Sequence, residues 1–301
     1  MSVGDGRYAR FMRLRGTRRP TSDATHDDVP SHDAEVARLR RRYLDLIKGA
    51  LTHTLYRPMD VRFENAGYVV GEEMRESVEQ EFSKENFDWA DVRADGRDWP
   101  RFAQSMIGLK RLDNIEQCVV QVLEDDVPGD LIETGVWRGG AVILMRAILE
   151  AYGDTDRAVY AADSFQGLPP PDASAYPADA GSRLHDAEPL AVARREVERN
   201  FRLYGLLDER VRFLEGWFAD TLPTVADRTW SVVRLDGDMY GSTMDALENL
   251  YPRLSVGGFL IVDDYGFDPC RQAVTDYRDA HRIADPIQSI DWLGAFWRRA
   301  H

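Results

Sequence analysis

The sequence predicts an α/β fold, a doubly wound and mostly parallel sheet with an antiparallel hairpin at its C-terminal end. Three observations carry that expectation. A strand-length run, Asp130–Thr134, leads through a glycine turn into a helix and then into a second strand that ends in an acid, Asp163. Two further apolar runs, Val232–Leu235 and Phe259–Val262, each end in acidic residues and flank one helix-length segment, the pattern of a right-handed crossover between parallel strands. Finally, 301 residues with 44% hydrophobic content suffice for a full core as one large domain, or as one domain plus an appendage.

Taken in order, residues 1–31 are rich in Arg, Asp, Thr, Gly and Pro without periodicity and are expected to be a flexible leader. Residues 32–100 are expected to form an N-terminal helix and a lid or oligomerisation region. The helix begins near Ala34, with Val36, Leu39, Tyr43, Leu46, Ile47, Ala50 and Leu51 at helical spacing. Aromatic and acidic residues then mix without a clean period from Arg57 to Arg97. Residues 101–301 carry the α/β domain. Its first segment, Arg101–Leu123, reads as one helix or two, with Met106, Leu109, Leu112, Ile115, Cys118, Val119 and Val122 on one stripe. Strands follow at Asp130–Thr134, Arg157–Ala162, Arg210–Leu214, Val232–Leu235 and Phe259–Val262. Between the second and third lies an excursion from Ser164 to Leu190 with five prolines, a length that is usually functional or disordered. A helix over Asp268–His281 and two short runs, Pro286–Ile290 and Ala295–Arg298, complete the sheet.

The formal charge of −14 opposes binding to nucleic acid or to an anionic membrane surface, which leaves small molecules and proteins as partners. No apolar run approaches the roughly 18 residues of a membrane span. Six arginines among the first nineteen residues are followed by no signal-like apolar stretch, so the cytoplasm is the expected location. Cys118 and Cys270 lack metal spacing and are expected as free thiols, and the six histidines form no zinc pattern.

Parallel strands bring Asp236, Asp238, Asp263 and Asp264 to one sheet edge. Either acidic pair alone is explained by a turn or a helix cap. Together they call for a compensating charge, and a hard cation such as Mg²⁺ with oxygen ligands is the expected one. The turn Glu133-x-Gly135-x-x-x-Gly139 lacks the spacing of a pyrophosphate-binding loop, and no Walker lysine follows. An acid in the turn repels phosphate but suits an amine or a sulfonium, while Asp163 can accept hydrogen bonds from two ribose hydroxyls. Amine, sulfonium and ribose together describe S-adenosylmethionine.

The blocks SMIGLKRLDN, GDLIETGVWRGGA, ADSFQGLP, YGLLDERVRFLEGWFADTLP, VVRLDGDMYGSTMDAL and YPRLSVGGFLIVDDY resemble the macrocin and mycinamicin sugar O-methyltransferases, a family that includes the noviose O-methyltransferase. The resemblance implies a class I methyltransferase fold, S-adenosylmethionine and Mg²⁺ as cofactors, and methylation of a deoxysugar hydroxyl on a glycosylated natural product in antibiotic biosynthesis. By position it implies Asp236, Asp263 and Asp264 as metal ligands and Asp238 as general base. It also implies Ser105, Met106, Glu133, Gly135, Asp163, Ser164, Gly216, Trp217 and Asp236 as the residues that bind the S-adenosylmethionine. A homo-oligomer, dimer or tetramer, is implied as well. Residues 1–31 and Arg57–Trp99 exceed the family pattern.

His185, in the excursion, is the alternative base, although a lone loop histidine is ordinarily surface decoration. Trp217 has two readings, adenine contact or simple burial, and Tyr240 and Tyr265 are either pocket wall or packing. The competing functions are methylation of an aromatic diol or a nucleotide sugar, and a non-catalytic cofactor-binding module. Gly237-Asp238-Met239 follows the first metal aspartate where catechol-type enzymes carry a lysine, which favours an aliphatic alcohol.

Overall fold

The structure, a computed structural model, describes residues 31–55, 89–97 and 102–301. The expected leader and nearly all of the expected lid lie outside the described residues. Two compact units divide the chain, Met1–Arg38 and Leu39–His301. In the first, the described residues open helix α1 (His32–Leu51), where Ser31 Oγ accepts the Ala34 N–H at 3.2 Å as a cap.

The second unit continues α1, then α2 (Trp89–Ala94) and α3 (Leu109–Glu124). After these come β1 (Asp130–Thr134), α4 (Gly140–Tyr152), β2 (Val159–Asp163), α5 (Arg194–Leu203), β3 (Val211–Glu215) and the single turn α6 (Phe218–Thr221). The chain closes with β4 (Trp230–Leu235), α7 (Tyr240–Leu250), β5 (Leu254–Val262), α8 (Asp268–His281), β6 (Gln288–Ser289) and β7 (Ala295–Arg298). The sheet order is β3-β2-β1-β4-β5-β7-β6, parallel except for β7, which runs antiparallel to both β5 and β6. This is the doubly wound sheet with a C-terminal antiparallel hairpin that the sequence predicts.

Strand residues alternate between two apolar layers, as the pleat requires. Leu131, Val159, Ala161, Val232 and Ile261 face the layer covered by α3, α4 and α5. Ile132, Tyr160, Ala162, Val233, Leu260 and Trp297 face the layer covered by α7 and α8. Both faces are covered, so the central strands are buried and mostly apolar, with Glu133 on β1 and Arg234 on β4 as the charged exceptions. Trp230, fully buried, meets the Tyr160 ring edge-on at 5.1 Å.

Two elements differ from the sequence expectation. The helix expected from Arg101 begins only at Leu109, because residues 103–107 lie over the start of α4. Ala103 accepts a hydrogen bond from Arg138 Nη1 at 3.0 Å, and a Cβ on Gly140 would stand 2.5 Å from that of Ser105. Met106 therefore precedes the helix rather than sharing its stripe. On α1 the buried set is Leu44, Lys48 and Leu51, whereas Leu39 and Leu46 are 54% and 58% exposed. The expected stripe is rotated, because Lys48 turns inward to meet Asp113 at 2.6 Å and Glu116 at 2.8 Å on α3. Cys118 and Cys270 are buried free thiols. No helix among the described residues is long and apolar enough to cross a membrane.

Candidate active site

All strand-end acids meet at the carboxyl edge of the sheet. Pairing persists just past the strands: Asp236 N–H donates to Thr134 O at 2.9 Å and Asp263 N–H to Leu235 O at 2.8 Å. This stagger brings one carboxylate oxygen each of Asp236, Asp263 and Asp264 within 4.8 Å of one another. Asp263 and Asp264 are 3% exposed. Asp238 follows in a left-handed conformation, φ 59°, and its N–H donates to Asp264 Oδ2 at 2.9 Å.

The compensating charge expected from a cation alone is in part built into the protein. Arg234, in the middle of β4, ion-pairs with Glu133 across the β1–β4 register, with Asp236 at 2.7 Å and with Asp263. Arg111, on α3, pairs with the other oxygen of Asp263 and lies 3.0 Å from Asp291. Both arginines were missed in the sequence, although each left a signal. Arg234 interrupts an apolar central strand, and Arg111 shares the helix face of Ile115, Cys118 and Val122.

Carboxylates still outnumber guanidiniums here, and the excess shows. Burial, reinforced by Asp263, pushes the Asp236 carboxyl up to about 6, and burial with Asp236 and Asp263 nearby pushes Asp238 up to about 7. Burial raises Asp264 well above the ordinary range. Carboxylates short of positive charge and converging on one point, Asp263 and Asp264 buried and Asp236 half-buried, suit a hard divalent cation. Each oxygen has a second lone pair, so Asp263 can accept from its arginines and still face an ion.

The glycine turn fits a cationic cofactor for a related reason. Glu133, 1% exposed, has one oxygen on Arg234, and its Oε2 has no hydrogen-bond partner among the described residues. Such an orphan acceptor suits an ammonium group. Burial raises its carboxyl to about 8. Gly135, at φ 84°, rests on the Asp236 backbone so closely that a Cβ would lie 1.7 Å from the Asp236 carbonyl oxygen.

Asp163 ends β2, where its carboxylate accepts the N–H groups of Val136 and Phe165, both at 2.7 Å. These bonds tie the two turns together and leave lone pairs for hydroxyl donors. Ser164, 5% exposed, donates from Oγ to Gly167 O at 2.6 Å and so shapes the start of the excursion. Gly216 N–H donates to Asp163 O at 2.9 Å, which brings the end of β3 alongside. The next residue, Trp217, is 37% exposed, so simple burial does not account for it. Ser105 is buried above Gly140, and Met106 is half-buried next to it.

His185 stands apart from these contacts. It lies in a 3₁₀ turn, Leu184–Asp186, with Nε2 3.3 Å from Asp186. Tyr240 donates from its hydroxyl to Asp276 Oδ2 at 3.0 Å and packs against Tyr176, while Tyr265 packs on the α7–α8 core.

The family model described as macrocin-O-methyltransferase (TylF) matches residues 40–299. This chain belongs to the macrocin O-methyltransferase family. A tetracenomycin rhamnosyl 4′-O-methyltransferase of Streptomyces olivaceus is 52% identical over 86% of this chain and 93% of its own length. Demethyldecarbamoylnovobiocin O-methyltransferase of Streptomyces niveus is 51% identical over 85% of this chain and 93% of its own length. Mycinamicin III 3″-O-methyltransferase of Micromonospora griseorubida is 48% identical over 86% of this chain and 96% of its own length. Among solved structures, the O-methyltransferase NovP is 49% identical, with a TM-score of 0.76 over 87% of this chain and all of its own. The macrocin O-methyltransferase family member described here is thus an S-adenosylmethionine-dependent O-methyltransferase with a Rossmann-like α/β fold.

Proposed function

We propose that this enzyme is a cytoplasmic, Mg²⁺-dependent methyltransferase acting on a deoxysugar hydroxyl of a glycosylated natural product. The convergence of Asp236, Asp263 and Asp264 beside Asp238 and the orphan oxygen of Glu133 carries the reading. It is supported by relatives named for tetracenomycin, novobiocin and mycinamicin glycosides. The absence of a lysine after Asp236 favours an aliphatic over a catechol acceptor.

Asp236, Asp263 and Asp264 would hold the cation, which when bound supplies acidity to an acceptor hydroxyl and neutralises the acidic excess. The Glu133 Oε2 and the free lone pairs of Asp163 would accept from the ammonium and ribose hydroxyls of S-adenosylmethionine. Ser105, Met106, Ser164, Gly216 and the exposed Trp217 would enclose the rest of that cofactor. Asp238 would take the proton of the acceptor hydroxyl, and S-adenosylmethionine, when bound, would supply the methyl group to that oxygen. A carboxylate alone is too weak a base for a sugar hydroxyl, so alignment and the cation's acidity supply the remainder.

The test measures S-adenosylhomocysteine release with demethyldecarbamoylnovobiocin, mycinamicin III, a dimethoxyrhamnosyl tetracenomycin and a catechol. Turnover of at least one glycoside, lost in EDTA and restored by Mg²⁺, is the expected outcome. Undiminished turnover after metal removal sinks the metal role, and turnover of the catechol alone sinks the acceptor class. A homo-oligomer completes the reading, supported by the exposed Leu39 and Leu46 on α1. Sedimentation of L39E/L46E against the native chain tests that face, and an unchanged mass removes it from any interface.

A further inference from the structure

We infer that Asp179 is a positioning residue for methyl transfer: its carboxylate fixes the turn that carries Asp238 and pins the Pro-rich excursion across the sheet edge. The inference rests on the reading of Asp238 as base. Helix α7 starts at Tyr240, and its own preceding residue, Met239, offers no side-chain cap. The first N–H groups of a helix need acceptors from elsewhere. Asp179 supplies two from 61 and 62 residues away, Oδ1 accepting from Tyr240 N–H at 2.7 Å and Oδ2 from Gly241 N–H at 2.9 Å. The residue is 2% exposed, and a carboxylate at a helix N-terminus also gains from the helix dipole.

Asp238 lies two residues before Tyr240, in a left-handed conformation that a non-glycine residue adopts at a cost. Two carboxylates hold that backbone in place: Asp264 accepts the Asp238 N–H, and Asp179 accepts the N–H of Tyr240, two residues on. Tyr176 closes the contact, because its ring leaves no room for a Cβ on Gly241, the nearest ring carbon standing 2.7 Å away. The C-terminal end of the excursion is tied to the glycine turn, where Trp137 Nε1 donates to Pro189 O at 2.8 Å. The excursion is therefore fastened to the base turn near its middle and to the glycine turn near its C-terminal end. His185 lies in the span between.

The experiment compares the full-length protein with D179A and D179N by amide hydrogen exchange, S-adenosylhomocysteine titration and steady-state kinetics on the glycoside the native enzyme turns over. Exchange should rise together at 176–190 and 238–243 in both variants, with β1 and β4 unchanged. Turnover should fall at least about tenfold in kcat, since a displacement near 1 Å costs that much or more. S-adenosylhomocysteine affinity should stay within about twofold, because the cofactor turn keeps its own bonds. Unchanged exchange at 238–243 overturns the proposal, whatever the acceptor. A kcat close to native despite faster exchange also overturns it, as does a parallel loss of cofactor affinity and melting temperature, which would assign Asp179 a merely structural role. Failure of the base reading is separate: it would appear as retained turnover in D238N, a variant in which Asp179 is intact.

Discussion

Glu133 and Arg234 stand directly opposite one another on adjacent parallel strands, and their side chains form an ion pair of which neither partner exposes more than 2% of its surface. The same guanidinium reaches Asp236 and Asp263. Removing one member of a buried ion network leaves the others uncompensated, at a cost of about 3–5 kcal/mol. Arg234→Met should therefore lower unfolding free energy by that amount in urea titration. Pairing it with Glu133→Gln should recover part of the loss, because one of the stranded charges is gone.

Asp238→Asn keeps the size of the side chain and removes the proton acceptor. Turnover should drop by about 10²–10⁴-fold, the usual worth of a positioned base. Calorimetric titration with S-adenosylhomocysteine should give near-native affinity, because Asp238 is not among the groups expected around the cofactor.

Gly135→Ala faces a steric limit. The position has φ 84°, and the new methyl would lie 1.7 Å from the Asp236 carbonyl oxygen, with backbone on both sides. The glycine turn must then part from the acidic turn at Asp236. A loss of S-adenosylhomocysteine affinity of about tenfold or more, together with a lowered melting temperature, is the expected result. An alanine variant with native affinity would show that the two turns can separate freely.

The fold and the site were legible to different depths. Strand-end acids announce themselves because βαβ connections place them on one edge, and the helix between β4 and β5 fixes that geometry from spacing alone. Arg111 and Arg234 were harder to see, since arginine in an apolar run is read as an interruption until its partners are known. Those partners lie 152 and 101 residues away, for the Arg111–Asp263 and Arg234–Glu133 pairs respectively. The contact between Asp179 and α7 was not legible at all. It joins a loop without periodicity to the start of a helix, and no local pattern encodes such a meeting. The rotated face of α1 has the same origin: Lys48 is drawn inward by acids on another helix, overriding hydrophobic spacing.

A pH effect on stability follows from Arg146 and Asp208, away from the site. Arg146 on α4 has a side chain 4% exposed and donates from Nη2 to Asp208 Oδ2 at 2.5 Å. Partial burial pushes the Asp208 carboxyl up, but the Arg146 hydrogen bond and charge outweigh it and hold the group below its ordinary value. A depressed folded pKa adds stability that is fully present above the unfolded value of about 3.9 and is lost as pH falls through the folded value. Asp208→Asn should thus destabilise the protein by about 1–3 kcal/mol at neutral pH. In denaturant titrations the gap to the native chain should close as the pH drops below that window. A gap independent of pH would assign the effect to packing instead.

The contact between Gly135 and the Asp236 carbonyl also bears on how acceptor choice can diversify. A floor in which the cofactor turn and the acidic turn touch backbone to backbone gives neither one freedom to drift without the other. On the proposed function, changes of acceptor preference fall on segments outside that contact. The segment between Ser164 and Ala193 is one of these, and exchanging it between related enzymes must carry along Asp179, which meets α7, and the carbonyl of Pro189, which meets Trp137.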